Sequence, residues 1–190
     1  MDVLKKRLAR LLMEKSYCEG NFTLTSGRKT DYYFDCKQTA LHPEGGWLLG
    51  RLFLEMLKGR QVQAVAGMTL GADPLVSATS VLSYVLADQG HCLLPAVIVR
   101  KQSKDHGTNK YLEGLANLTP GAPVVLLEDV VTTAGTLLTT IERITEAGLH
   151  IAAVLCVLDR EEGGSANLAA VGYTLEPIFT RTQLLSASRS

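Results

Sequence analysis

Two adjacent carboxylates, Glu128 and Asp129, follow the apolar run Val-Val-Leu-Leu at 124–127 and precede the loop Thr132-Thr133-Ala134-Gly135-Thr136. The run is short, branched and apolar at every position, the pattern of a strand buried on both faces of a parallel sheet. Open α/β sheets hold ligands beyond the carboxyl ends of their strands, and the spacing puts both acids at such an end. The loop offers backbone N–H groups and three hydroxyls where a helix begins, which suits a phosphate dianion. No Gly-Lys-Ser/Thr follows the glycine, so this is not a Walker loop. A buried strand turning into a capped helix would leave the paired acids without a purpose. Carboxylates for sugar hydroxyls beside a phosphate cradle describe one ligand, a ribose 5-phosphate.

A second cluster lies upstream. Arg100, Lys101, Lys104 and Lys110 gather with His106 inside eleven residues, against the single acid Asp105. Most charge runs are solvated surface. Beside a ribose-phosphate site, however, the cluster reads as a mobile lid that brings cations to a highly anionic leaving group, with an acid available to protonate it.

The elements that must carry these residues alternate along the chain. Leu4, Leu8, Leu11 and Leu12 recur at helical spacing among Lys5, Lys6, Arg7 and Arg10, giving an amphipathic opening helix that packs on its own domain. Residues 22–35 read as short strands and a loop. Helices are predicted over 43–58, 74–87 and 137–147, the last stopped by Gly148, and strands over 64–66, 94–99, 124–127 and 151–158. This alternation predicts an α/β fold, an open and mostly parallel sheet with helices on both faces. The stretch 100–121 carries no amphipathic helix, and a loop of that length in a compact domain is usually functional.

The chain has 190 residues, 46% hydrophobic and 20% charged, with formal net charge zero. That suits one globular domain, 1–190, and excludes disorder. Zero net charge provides no field toward nucleic acid or an anionic membrane, and neither is expected as a partner. Cys18, Cys36, Cys92 and Cys156 form no Cys-x-x-Cys pair, so neither a zinc site nor a disulfide framework is suggested, and Cys156 reads as a small buried hydrophobe. Without an apolar leader or a long apolar span, the expected location is cytoplasmic.

The acid pair and loop resemble the phosphoribosyl-diphosphate (PRPP) motif of type I phosphoribosyltransferases. Within that group Arg100-Lys101-x-x-Lys104-x-His106-Gly107 is similar to the mobile-loop signature of the orotate phosphoribosyltransferase family. The segment Ser26-Gly27 with Tyr32-Tyr33 and Asp35 matches its N-terminal substrate segment, and Leu158-Asp159-Arg160-Glu161 a further one at the end of the last parallel strand. The resemblance implies the type I fold, with a small hood built from roughly 1–40 and 160–190. It implies PRPP held by Arg100, Lys101, Lys104, His106, Glu128, Asp129, Thr132, Thr133, Ala134, Gly135 and Thr136. Orotate would lie against Tyr32, Tyr33, Thr132 and Arg160, with Lys101, Lys104, His106 and Asp129 as the catalytic groups. It also implies Mg²⁺ carried mainly on substrate oxygens, with no side-chain metal site assigned, and a homodimer sharing the loop between subunits. The chain departs from many relatives at Thr25 and Gly71, where they carry lysine. The alternatives are a phosphoribosyltransferase for a purine or another pyrimidine, which gives no reason for the loop signature or Arg160, and a PRPP-sensing regulator.

Overall fold

The computed structural model describes residues 1–23, 29–103 and 111–187. The opening helix α1 (Asp2–Lys15) buries Leu8, Ala9, Leu11 and Leu12, as its leucine spacing requires, and turns its basic residues outward. Next come the antiparallel strands β1 (Tyr17–Thr23) and β2 (Lys29–Phe34), which form a separate two-stranded sheet. The short helix α2 (Cys36–Ala40) is capped by Asp35, whose Oδ1 accepts the Lys37 backbone N–H at 3.2 Å. Helix α3 (Pro43–Leu57) starts on its proline and buries Leu48, Leu49, Leu52 and Phe53.

The remaining elements run β3 (Ala64–Met68), α4 (Asp73–Val85), β4 (Ala96–Val99), β5 (Leu112–Glu113), β6 (Pro123–Val131), α5 (Gly135–Glu146), β7 (His150–Asp159), α6 (Gly164–Ala170), β8 (Leu175–Thr180) and α7 (Arg181–Ala187). The main sheet has the order β5-β4-β3-β6-β7-β8, parallel throughout except for β5, which pairs antiparallel with β4 at one edge. Strand alternation divides the core into two layers. Val125 and Leu127 face a layer with Leu48, Leu52, Phe53, Leu75 and Val76, drawn from α3 and α4. Val124 and Leu126 face the other, with Leu137 and Ile144 of α5 and Leu168 of α6.

Three sequence expectations are corrected. Strand β6 runs past Leu127 to Val131, because Glu128, Val130 and Val131 stay in register with Cys156, Leu158 and Asp159 of β7. The acid pair therefore lies inside the carboxyl-terminal part of the strand rather than beyond its end. Strand β7 is not the last parallel strand, since β8 follows it and contains Pro177 opposite Cys156. An edge strand tolerates proline where an interior one loses a ladder bond, and the proline disguised this element. The short helices α2, α6 and α7 also went unread. Of residues 160–190, β8 joins the main sheet while α7 lies against α1, with Leu184 in the layer that holds Leu8 and Leu12. Among the described residues, no helix is long and apolar enough to cross a membrane.

Candidate functional site

Alternation along β6 sends its two acids to opposite sides. Glu128 is 6% exposed, and its Oε1 accepts the Asp129 backbone N–H at 3.3 Å. Its Oε2 is buried with no hydrogen-bond partner. Burial, followed by the neighbouring charge of Asp129, holds the Glu128 carboxyl well above the ordinary carboxylate range, and the charge of Lys101 pulls the other way. Asp129 accepts the Val130 N–H on Oδ1 at 2.8 Å and lies against Gly71.

Gly71 belongs to the turn between β3 and α4, where the Thr69–Leu70 peptide is cis and Thr69 Oγ1 donates to Asp73 Oδ2 at 2.7 Å. A Cβ at Gly71 would sit 2.8 Å from Cγ, Oδ1 and Oδ2 of Asp129 alike. Any larger residue would displace that carboxylate, so in this chain the space is taken by Asp129. One cation near it went unread in the sequence. Lys37 is held by Asp35 through a 2.6 Å ion pair, which raises its pKa, and Asp129 adds a smaller push in the same direction. The Asp35 cap beside Tyr32-Tyr33 was the available signal.

The phosphate loop lines a cavity of about 170 Å³ together with Glu128. Ala134 takes the left-handed conformation at φ 65°, and α5 starts at Gly135, aiming its first N–H groups and positive dipole end at the loop. Thr132, Thr133 and Thr136 line the same cavity. Helix α6 backs the loop from outside. Asn167 Nδ2 donates to the Thr133 carbonyl at 3.0 Å, and a Cβ at Gly164 would fall 2.7 Å from the Thr132 carbonyl oxygen. A side chain there would push the loop out of place.

One strand away, at the end of β7, Arg160 is 7% exposed, with Nε donating to Glu162 at 2.9 Å and Nη2 buried without a hydrogen-bond partner. Its backbone N–H donates to the Val131 carbonyl at 2.9 Å, tying it to the start of the phosphate loop. The guanidinium lies 4.6 Å from the ring centroid of Tyr32, and Arg181 lies 4.4 Å from the same ring. Tyr32 is buried and also stacks on Tyr17, so it packs beneath Arg160, and burial raises its phenol pKa against the pull of the two arginines. Tyr33 points the other way, exposed and tilted against Phe22. The structure thus joins Tyr32 to Arg160 and leaves Tyr33 apart. Arg181 escaped the sequence reading along with β8.

Of the cationic cluster, Arg100 pairs with Glu113 at 3.4 Å and Lys101 is exposed. Lys104, His106 and Thr25 lie outside the described residues.

A central strand that carries two adjacent carboxylates into a phosphate loop, with Glu128 lining the loop's cavity, defines a phosphoribosyltransferase-type domain, and residues 55–179 match the family described as "Phosphoribosyl transferase domain". The chain is 48% identical to the orotate phosphoribosyltransferase of Thermosynechococcus vestitus, over 95% of this chain and 93% of the relative. It superposes on Mycobacterium tuberculosis H37Rv orotate phosphoribosyltransferase in complex with Fe(III) dicitrate with a TM-score of 0.81, at 31% identity, covering 95% and 98% of the two chains. The complex of the same mycobacterial enzyme with PRPP gives 0.76 at 28% identity, with the same shares covered. The chain belongs to the orotate phosphoribosyltransferase family.

The raised pKa of Glu128 makes a stability prediction. A carboxyl whose folded pKa is raised contributes stability that is complete below its unfolded pKa and is lost as pH rises through the folded value. Glu128→Gln removes that loss, so the variant should be more stable than the wild type at mildly alkaline pH. The gain should fade toward the ordinary carboxylate pKa in urea unfolding. An equal gain at both pH values would contradict the assignment.

Proposed function

We propose that this protein transfers ribose 5-phosphate from PRPP to N1 of orotate, giving orotidine 5′-phosphate and pyrophosphate, a step of pyrimidine biosynthesis. The observation that carries the reading is Arg160, a buried guanidinium with an unused donor one strand from a phosphate cradle. A flat, anionic base that presents a carboxylate to a guanidinium fork fits there, and a neutral purine offers no carboxylate to the free Nη2 donor.

In the reaction the bond from ribose C1 to the diphosphate oxygen breaks, its electrons leave with pyrophosphate, N1 of orotate forms the new bond, and the proton that N1 gives up goes to pyrophosphate. The loop from Thr132 to Thr136 holds the 5-phosphate through backbone donors at the start of α5. Glu128 and Asp129 face the ribose hydroxyls, and their charge steadies the cationic sugar carbon as it forms. Arg100, Lys101, Lys104 and His106 neutralise the leaving pyrophosphate. Orotate sets its carboxylate on Arg160, whose guanidinium is backed by the buried Tyr32 ring, and the outward-facing Tyr33 takes no part. Magnesium fits as a substrate-borne ion, since among the described residues no cluster of His, Cys, Asp or Glu is set to hold it. When bound it would neutralise diphosphate charge, held mainly by substrate oxygens and water.

The same reading takes the enzyme as a cytoplasmic homodimer. Its four cysteines are free. Helix α4 carries Pro74, Ser77, Val81, Tyr84 and Val85 along one stripe. Val81, Tyr84 and Val85 are exposed, and Pro74 and Ser77 share an apolar cavity of about 450 Å³ with Leu41 and Leu70. Apolar side chains grouped on one exposed face are what a partner subunit would cover. Sedimentation should find a dimer that Tyr84→Glu converts to monomer. A monomeric wild type would refute the assembly.

The activity is tested by PRPP-dependent loss of the ultraviolet absorbance of orotate in the presence of magnesium. Arg160→Gln should raise the KM for orotate by about ten-fold or more while the KM for PRPP changes little, as expected for a lost charge-assisted hydrogen bond. No consumption of orotate by the wild type, or equal changes in both KM values, would sink the reading.

A further inference from the structure

Helix α5 bears the phosphate loop at its N-terminus and Arg143 in its last turn. The guanidinium of Arg143 meets three separate segments. Nη1 donates to the Arg100 carbonyl, and Nη2 donates to the Lys101 carbonyl at 3.2 Å. Its Cζ lies over the Tyr111 ring, 4.1 Å from the centroid. Nη1 also reaches Met68 Sδ, at the end of β3, at 3.7 Å. The Arg100 N–H donates to the Tyr111 carbonyl at 2.7 Å, so the chain leaving β4 and the chain returning toward β5 are joined at the point where Arg143 grips both.

We propose that Arg143 is a positioning residue for phosphoribosyl transfer, fixing the backbone from which Lys101 projects. The inference rests on the orotate reading, and Arg143 itself touches no substrate in it. The physical case is geometric. Two successive carbonyls held by one planar fork leave the peptide between Arg100 and Lys101 little freedom to rotate, and that sets the direction of the Lys101 side chain. Stacking on Tyr111 holds the fork in its own plane. Lys101 is exposed and would otherwise sample many rotamers, yet its charge already acts on Glu128.

Through α5 the arrangement links two ends of one substrate. The helix start holds the 5-phosphate, and eight residues on, about 12 Å along the axis at the usual rise, Arg143 holds the cation meant for the diphosphate. Met68 extends the link to the turn in which Gly71 abuts Asp129. A lysine at 143 would keep the charge but offer neither a planar fork nor a ring-sized stacking face.

The test is a double-mutant cycle on kcat/KM for PRPP, using wild type, Arg143→Leu, Lys101→Ala and the double variant, with thermal melts of each. Arg143→Leu should lose about 10- to 100-fold, in the range of a misplaced catalytic group, and adding Lys101→Ala should then cost far less than it does in the wild type. The KM for orotate should hold, and Arg143→Lys should stay impaired. Should Arg143→Leu fail to fold, Tyr111→Leu removes the stacking face and takes its place in the cycle. Additive losses, or full recovery in Arg143→Lys, would overturn the positioning role while leaving the orotate reading intact. Lys101→Ala with unchanged kinetics would overturn it together with the role given to Lys101. A wild type that consumes no orotate would remove both the activity and this inference.

Discussion

The structure is organised around two carboxylates set side by side in a buried central strand. Taking a carboxylate out of water costs several kcal/mol unless something compensates it, and the Oε2 of Glu128 has nothing. A fold does not keep such a group for its own stability when glutamine would serve. The neighbouring parts make sense as arrangements that tolerate the pair and leave it open to a ligand. Gly71 leaves room for the Asp129 carboxylate, Lys37 and Lys101 bring positive charge near it without capping it, and the cavity beside Glu128 stays unfilled. The missing compensation is what a ribose carrying magnesium diphosphate would supply.

The same strand ties Arg160 to the loop that follows it. Val131, its last residue, accepts the backbone N–H of Arg160 and leads directly into Thr132. The separation between Arg160 and the loop is thereby set by rigid backbone and not by mobile side chains, which is how reacting groups are held at fixed separation. Gly164 and Asn167 brace the loop from behind, and α5 carries its far end across to the neck between β4 and β5. The residues that surround the reaction are loop residues, and the sheet gives them a common frame.

The parts readable from sequence were those specified by neighbours in the chain. An apolar run, an acid pair and a small-residue turn lie within thirteen positions, so β6, its loop and the start of α5 could be read together. The leucine spacing of α1 and the proline start of α3 were equally local. What escaped depends on tertiary contact. Pro177 reads as a strand breaker until β8 is seen at the sheet edge. Lys37 is an ordinary surface lysine until α2 sets it near Asp129, and Arg181 and Arg143 acquire partners only when distant segments fold against them. The strand alternation that buries Tyr32 and exposes Tyr33 was likewise invisible in a segment with no clear polar rhythm.

The claim that the acid pair is an unmet charge awaiting the sugar diphosphate is open to one direct observation. Carboxyl carbon-13 resonances of glutamate-labelled protein, assigned to Glu128 by its substitution, can be followed through a pH titration with and without PRPP and magnesium. The account predicts a Glu128 midpoint well above the ordinary carboxylate range in the free protein, falling when the ligand binds. A midpoint in the ordinary range, unmoved by PRPP and magnesium, would contradict it.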